Sequence, residues 1–313
     1  MTFAAIFPGQ GSQSVGMLSE LAQQYPLVQQ TFAEASDALG FDLWDMVQNG
    51  PDSDLNSTHN TQPAMLSAGV AVWRIWSESG APQPAAMAGH SLGEFTALVC
   101  SGAMDFSDAV KLVAERGRLM QEAVPEGQGA MAAILGLDDA VVISVCEKAA
   151  EGDVVQAVNF NSPGQVVIAG SAAAVDRATQ VATDEGAKKA IKLPVSVPSH
   201  CDLMKPAADK LAEKLTQIEI ATPSIPVIHN VDVTSHSDAD AIRNALSMQL
   251  YRPVRWVETV QKLAADGMSD MVEMGPGKVL MGLIRRIDRS VTCTPVQDPA
   301  GLDKALEKIK GAE

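Results

Sequence analysis

Residues 85–100 read AAMAGHSLGEFTALVC. A short run of small apolar residues ends in Gly89-His90-Ser91-Leu92-Gly93, and an apolar helical stretch follows at once. G-x-S-x-G between a strand and a helix is the sharp turn that lifts a nucleophilic serine above an α/β sheet. Ser91 with Glu94 three residues on also fits a capping box, in which the serine merely caps the helix. The small residues at 89 and 93 favour the strained turn, because strand and helix must pack closely at both points. A chain built around this stretch is confined to an α/β fold with a parallel sheet.

The rest of the chain agrees. TFAAIF (2–7) reads as a core strand that ends in the donor-rich turn Pro8–Gln13, and helical patterns follow at 14–24, 26–39 and 62–79. Residues 125–194 change character. GAMAAILG (129–136) is a predicted strand and 138–150 a helix. The runs 154–160 and 164–170 form a hairpin turning at Asn161-Ser162-Pro163, and a helix at 171–186 and a strand at 187–194 complete it. That order, βαββαβ, is the ferredoxin-like pattern. The predicted architecture is therefore an α/β-hydrolase-like large domain (1–124 and 195–313) with a nucleophile elbow. A small ferredoxin-like domain (125–194) is inserted, the second large-domain segment starts near Ser196, and a cleft lies between the two.

At 313 residues, 46% hydrophobic and 19% charged, the composition is that of a soluble globular protein. No apolar run approaches the roughly 18 residues needed to cross a bilayer. MTFAAIFPGQG lacks the basic start of a signal peptide. Cys100, Cys146, Cys201 and Cys293 are widely spaced with no C-x-x-C pair, so neither a zinc site nor a disulfide framework is indicated. A reduced, cytoplasmic setting is expected. The net charge of −15 argues against nucleic acid and anionic membranes as partners.

A nucleophilic serine needs a base. Of five histidines, His90 adjoins Ser91 at a turn that points neighbours apart, His59 and His236 lie in polar loops, and His229 fits a core strand. His200, in LPVSVPSHCDLMKPAADKL, is the best placed. A strand running out through Pro198 and a helix capped by Ser199, with Asp202 at the third position, would put it on the same sheet edge as Ser91, where open α/β sheets bind ligands. No acid between Ser91 and His200 falls clearly at a main-sheet strand end, so a dyad is expected, the imidazole oriented by a carbonyl or amide. Arg116 shares a helical stripe with Phe106, Ala109, Val113, Met120 and Ala123. On a buried stripe an arginine meets either an internal carboxylate or a substrate carboxylate, the latter gripped through two hydrogen bonds. The turn Gly9–Gln13, with the N–H of Leu92, could supply an oxyanion hole.

These residues belong to a longer series: FPGQGSQ (7–13), TQPA (61–64), GHSLGE (89–94), Arg116-Gly117, NSPGQVVIAG (161–170), VPSH (197–200), QLYRPVRW (249–256) and EMGPGKVL (273–280). Over nearly its whole length the chain resembles the malonyl-CoA:acyl carrier protein transacylases of bacterial type II fatty acid synthesis. That resemblance implies Ser91 as acyl-accepting nucleophile and His200 as its base, with Gln249 orienting the histidine through its backbone carbonyl. It implies oxyanion N–H groups from Gln10 and Leu92, Arg116 holding the free malonyl carboxylate, and Asn161 near the substrate. Malonyl-CoA and an acyl carrier protein are the implied partners of a monomer, with no cofactor beyond the coenzyme A thioester substrate. The family's carrier protein is acidic, so a local basic patch must override the overall charge. The helix KVLMGLIRRIDR is the candidate, with Val279, Leu280, Leu283, Ile284 and Ile287 inward, Arg286 and Arg289 outward and Arg285 nearby. Lys188 and Lys189 are a second option. The alternatives are a serine hydrolase or thioesterase of similar fold, a transferase for a different acyl group, and a non-catalytic binding domain.

Overall fold

Phe3–Phe7 is buried at every position, and its side chains divide between two cores. Phe3, Ala5 and Phe7 face one, Ala4 and Ile6 the other, as the two-residue repeat of a strand requires. A strand buried on both faces belongs at the centre of a parallel sheet, which is why it reads as one continuous apolar run. The structure, a computed structural model, describes residues 2–195 and 197–311.

That strand, β1, leads through α1 (Ser19–Gln24), α2 (Leu27–Leu39), α3 (Leu43–Asn49), α4 (Asp52–Leu55) and α5 (Thr58–Glu78) to β2 (Ala86–Gly89), α6 (Leu92–Cys100) and α7 (Phe106–Ala123). The helix expected from residue 62 starts at Thr58 and accommodates Pro63 inside its second turn. The sequence reading also passed over α3, although Asp42 caps it by accepting from the Asp45 amide.

Next come β3 (Gly129–Leu135), α8 (Asp139–Ala150), β4 (Val155–Ser162), β5 (Gln165–Ser171), α9 (Ala172–Asp184) and β6 (Lys189–Lys192). These four strands form a separate antiparallel sheet in the order β4-β5-β3-β6. The hairpin turns at Pro163-Gly164, not one step earlier, because β4 pairs as far as Ser162. One face of this sheet carries α8 and α9 over Ala132, Ile134, Val166 and Ile168. The opposite face, with Met131 and Val167, looks toward the cleft.

The chain then returns through a 3₁₀ turn (Asp202–Met204), α10 (Lys205–Leu215), β7 (Val227–Ile228), α11 (Ala239–Gln249), α12 (Trp256–Ala265), β8 (Asp270–Met274), α13 (Val279–Ile287), β9 (Thr292–Val296) and α14 (Pro299–Lys310). The parallel sheet runs β7-β2-β1-β8-β9. Its order reverses at β1, and ligands of open α/β sheets bind beside such a reversal, at the carboxyl ends of the strands. Register pairs Phe7 with Gly89, so Gln10 and Ser91 leave adjacent strands side by side.

Two expectations around residue 200 fail. The strand predicted through Pro198 stops at Lys192, because Pro194 and Pro198 have no N–H for a ladder. Ser199 caps nothing: its amide bonds to Val197 O, and α10 begins only at Lys205. The Ser196 boundary lies outside the described residues. On α13, Leu280, Leu283 and Ile284 are buried and Ile287 is partly so, but Val279 is exposed at the helix start. The buried Glu273 carboxylate on β8 accepts from the Leu280 and Met281 amides there, at 3.0 and 2.8 Å.

Candidate active site

The reversal between β2 and α6 is as tight as the glycine spacing demands. A Cβ on Gly89 would lie 1.9 Å from the Gly93 carbonyl carbon, and one on Gly93 would lie 2.1 Å from Phe7 O. Both contacts are with backbone, so no side-chain adjustment could relieve them. Between them Ser91 adopts φ 50° and ψ −109°, a conformation L-residues avoid unless their surroundings enforce it. The capping-box reading of Ser91 does not hold. The Ser91 hydroxyl makes no cap bond and points instead at His200, with Oγ 2.8 Å from Nε2.

His200 is buried and held at φ 67° in the loop before the 3₁₀ turn. Its Nδ1 lies 2.7 Å from the carbonyl oxygen of Gln249. A carbonyl can only accept, so Nδ1 carries the proton and Nε2 presents its lone pair to the Ser91 hydroxyl. The orienting group is a backbone carbonyl, as expected of a dyad. Burial, reinforced by the positive charge of Arg116, lowers the His200 pKa to about 3. The imidazole is therefore neutral near pH 7.

Arg116 is almost fully buried on α7. Its NH1 donates to Gln62 Oε1 at 2.8 Å and its NH2 to Gln249 Oε1 at 2.9 Å, while NH2 stands 3.5 Å from Ser91 Oγ. The guanidinium lies over the Phe95 ring, 5.3 Å from its centroid. Among the described residues no carboxylate pairs with it, against the internal ion-pair reading. Burial lowers its pKa to about 10, with the charge of Glu94 opposing that shift, so it is a cation at neutral pH. Among the described residues its buried Nε has no partner.

Gln10 and Leu92 both line the cavity in front of Ser91, and among the described residues neither amide N–H has a hydrogen-bond partner. The cavity measures about 560 Å³ and is roofed by Met131 and Val167 of the antiparallel sheet. Asn161 enters it from β4, with Oδ1 2.8 Å from His90 Nε2. His90 itself packs against Trp256, ring centroids 5.6 Å apart, and burial pushes its pKa down. It is thus a hydrogen-bonding and packing residue, as anticipated. Arg285, Arg286 and Arg289 are exposed, and Arg286 bonds Gln165 in the same hairpin as Asn161. Lys188 and Lys189 are exposed on the antiparallel sheet.

The sequence reading missed a polar layer behind the serine. Glu94, fully buried, accepts from His229 Nδ1 (2.8 Å), the Asn230 amide (2.9 Å) and Gln249 Nε2 (2.9 Å). Asn230 accepts from the Ser91 amide at 2.8 Å and donates to Gly89 O at 2.7 Å. Gln249 Nε2 also donates to Ser91 O at 3.0 Å. The available signal was IPVIHN (225–230), a strand-like run ending in two polar residues that share the Ser91 edge of the sheet. Gln62 lies within TQPA, where nothing in the local sequence marks it as a partner of Arg116.

Comparison with known proteins agrees with this geometry. An acyl transferase domain model matches residues 4–304. The malonyl CoA-acyl carrier protein transacylase of Salmonella typhimurium is 59% identical over 304 residues, covering 97% of this chain and 98% of that protein. The chain belongs to this acyl transferase family. The family's counterpart from Bacillus subtilis is 45% identical, with 98% and 97% covered. Among solved structures, an acyl carrier protein S-malonyltransferase from Vibrio cholerae superposes with a TM-score of 0.96 at 58% identity, covering 97% of this chain and all of that one. A malonyl-transacylase solved in complex with its type II PKS acyl-carrier protein superposes at 0.98 and 56% identity, covering 98% and 100%. The family's α/β fold, with one parallel and one antiparallel sheet, is the fold described above. Among the described residues no helix is long and apolar enough to cross a membrane.

Proposed function

We propose that this chain transfers the malonyl group of malonyl-CoA to the phosphopantetheine thiol of an acyl carrier protein through a Ser91 ester. The observation that carries the reading is Arg116: a buried cation whose partners among the described residues are all neutral, two glutamine amides and, at a long 3.5 Å, Ser91 Oγ. Each terminal nitrogen gives one N–H to a glutamine; the second on NH2 makes only the long contact with Ser91 Oγ, so a carboxylate can draw on both remaining donors.

In the first half-reaction Ser91 Oγ attacks the thioester carbonyl as its proton passes to His200 Nε2. The oxyanion is received by the amides of Leu92 and Gln10. The tetrahedral intermediate collapses with cleavage of the C–S bond, and coenzyme A leaves with the proton from His200. In the second, His200 takes the proton of the carrier's thiol, the sulfur attacks the Ser91 ester, and Oγ leaves reprotonated. Gln249 fixes the His200 tautomer through its carbonyl, and Asn161, held by His90, faces the bound acyl group. No resident cofactor or metal is needed for any step.

The remaining features fit one reading. The five-stranded sheet with its elbow is α/β-hydrolase-like, comprising 1–124 and 195–313, and the order β4-β5-β3-β6 in 125–194 is ferredoxin-like. The carrier protein docks on the face formed by Arg285 and Arg286 of α13 with Arg289 just beyond its end, and the enzyme works as a cytoplasmic monomer. Intact mass after mixing with malonyl-CoA tests the proposal. A malonyl adduct is expected, absent in Ser91→Ala and discharged by carrier protein. Free malonate released as fast as coenzyme A would make the protein a thioesterase and refute the transfer.

A further inference from the structure

A strained turn keeps its shape only if its surroundings over-determine it, and the elbow has one side chain that grips it on both sides. Asn230 follows β7, the edge strand paired with β2. It is fully buried. Its Nδ2 donates to Gly89 O, the residue two before the nucleophile, and its Oδ1 accepts from the Ser91 amide. Its own amide is tied to Glu94 Oε2 on α6, so the clamp is anchored to the helix that the elbow opens. On the other side, its carbonyl receives the Arg255 amide at 3.3 Å.

Two consequences follow from hydrogen-bond bookkeeping. The Ser91 N–H is consumed, so it cannot turn toward the cavity. The next amide, Leu92, is left without a partner among the described residues and lines the cavity. Fixing the 89–91 segment thereby fixes which N–H the elbow presents to a developing negative charge, and in which direction.

We propose that Asn230 is a positioning residue for acyl transfer, locking the elbow so that the Leu92 amide and the Ser91 hydroxyl are aimed together at the acyl carbonyl. The inference rests on the acyl-ester reading given above. Asn230 does not touch the substrate, so its effect belongs to the transition state, where the oxyanion exists, and not to binding of malonyl-CoA.

The test is the first turnover of Asn230→Ala, followed by coenzyme A release after rapid mixing and by the fraction of chains carrying an acyl adduct in intact mass. Loss of one aligned oxyanion donor lowers such rates by about 10²–10³-fold. The expected result is an acylation rate lower by about 10²-fold with an unchanged KM and a full adduct at completion. The loss should be equal for malonyl-CoA and acetyl-CoA, because both form the same oxyanion. A purely structural role would instead reduce the fraction of chains that can be acylated while leaving the rate of the remainder intact, and that outcome overturns the proposal. So does an acylation rate within about twofold of wild type. If Asn230→Ala is not obtained folded, Asn230→Ser, which keeps a small polar group in the same space, is read by the same outcomes. A wild-type protein that forms no Ser91 adduct removes the acyl-ester reading itself and this inference with it. A wild-type adduct formed no faster than in the variant removes only the role of Asn230.

Discussion

Replacing Arg116 by alanine separates the malonyl-specific part of the site from the machinery common to all acyl groups. The guanidinium holds Gln62 and Gln249 at 2.8 and 2.9 Å, and a ligand can take the remaining N–H of NH1 and that of NH2, which is held only by a long 3.5 Å contact with Ser91 Oγ. Two charge-assisted hydrogen bonds to a carboxylate are worth roughly 1.5–3 kcal/mol each, about 3–6 kcal/mol together. At about 1.4 kcal/mol per decade, kcat/KM for malonyl-CoA should fall by roughly 10²–10⁴-fold. Acetyl-CoA has no carboxylate to lose. It also gains, because the cation that helps depress the His200 pKa is gone and the imidazole becomes a stronger base. Stability should change little. Two amide oxygens lose their donor, at about 1–3 kcal/mol each, while the cost of burying a cation with an unpartnered Nε disappears. The assay is coenzyme A release in the first turnover with malonyl-CoA and acetyl-CoA in parallel, with a thermal melt as control. A fall of equal size for both substrates would refute the clamp.

Four further outcomes are expected. The acid limb of kcat/KM should lie well below the ordinary histidine value of 6.5, since His200 titrates at about 3, and it should move upward in Arg116→Ala; a pH–rate profile of both proteins checks this. His90 and His200 resist protonation in the folded state but not in the unfolded chain, so their share of stability should fall as pH drops below 6.5, measurable by urea melts across that range. Gly93→Ala drives a Cβ to 2.1 Å from Phe7 O and should cost on the order of 4 kcal/mol or yield no folded protein; a denaturation curve like that of wild type would contradict the packing argument. Charge reversal at both Arg285 and Arg286 should raise KM for the carrier protein and spare malonyl-CoA loading, and an equal loss in both half-reactions would move the docking surface elsewhere.

Much of the fold was legible because local rules and the tertiary answer coincide. The 85–100 stretch names its own strand, turn and helix, and β3 through β6 follow a pattern of alternating apolar residues broken by turn residues. Arg116 could be found because a charge on an apolar stripe is a contradiction that only a partner resolves. The role of Glu94 was not legible because a capping box and a buried carboxylate share the same sequence spacing, and only the tertiary partners at 229, 230 and 249 tell them apart. The loop carrying His200 was misdrawn for a related reason. Its path is set by the Gln249 carbonyl and by the His200 amide bonding Leu250 O, contacts some 50 residues away in sequence.

The polar layer also bears on why the proposed acyl-enzyme waits for a thiol. Glu94 is a buried carboxylate directly behind the dyad's network, yet it serves His229, Asn230 and Gln249 and leaves His200 to a carbonyl. A carbonyl fixes the tautomer as well as a carboxylate does, but it offers no full charge to an imidazolium. Buried, and with the Arg116 cation nearby, the imidazole is a weak base. A bound malonyl carboxylate would cancel that charge in part, so the base would strengthen when the right acyl group is present. It would still be modest. A thiol like that of cysteine ionises near pH 8.5, whereas water ionises near 15.7. A modest base can deprotonate the first during attack far more readily than the second. The same geometry that denies His200 a carboxylate therefore favours a thiol over water as the second nucleophile, while the equally weakly acidic Ser91 hydroxyl is helped by being held in place 2.8 Å from Nε2.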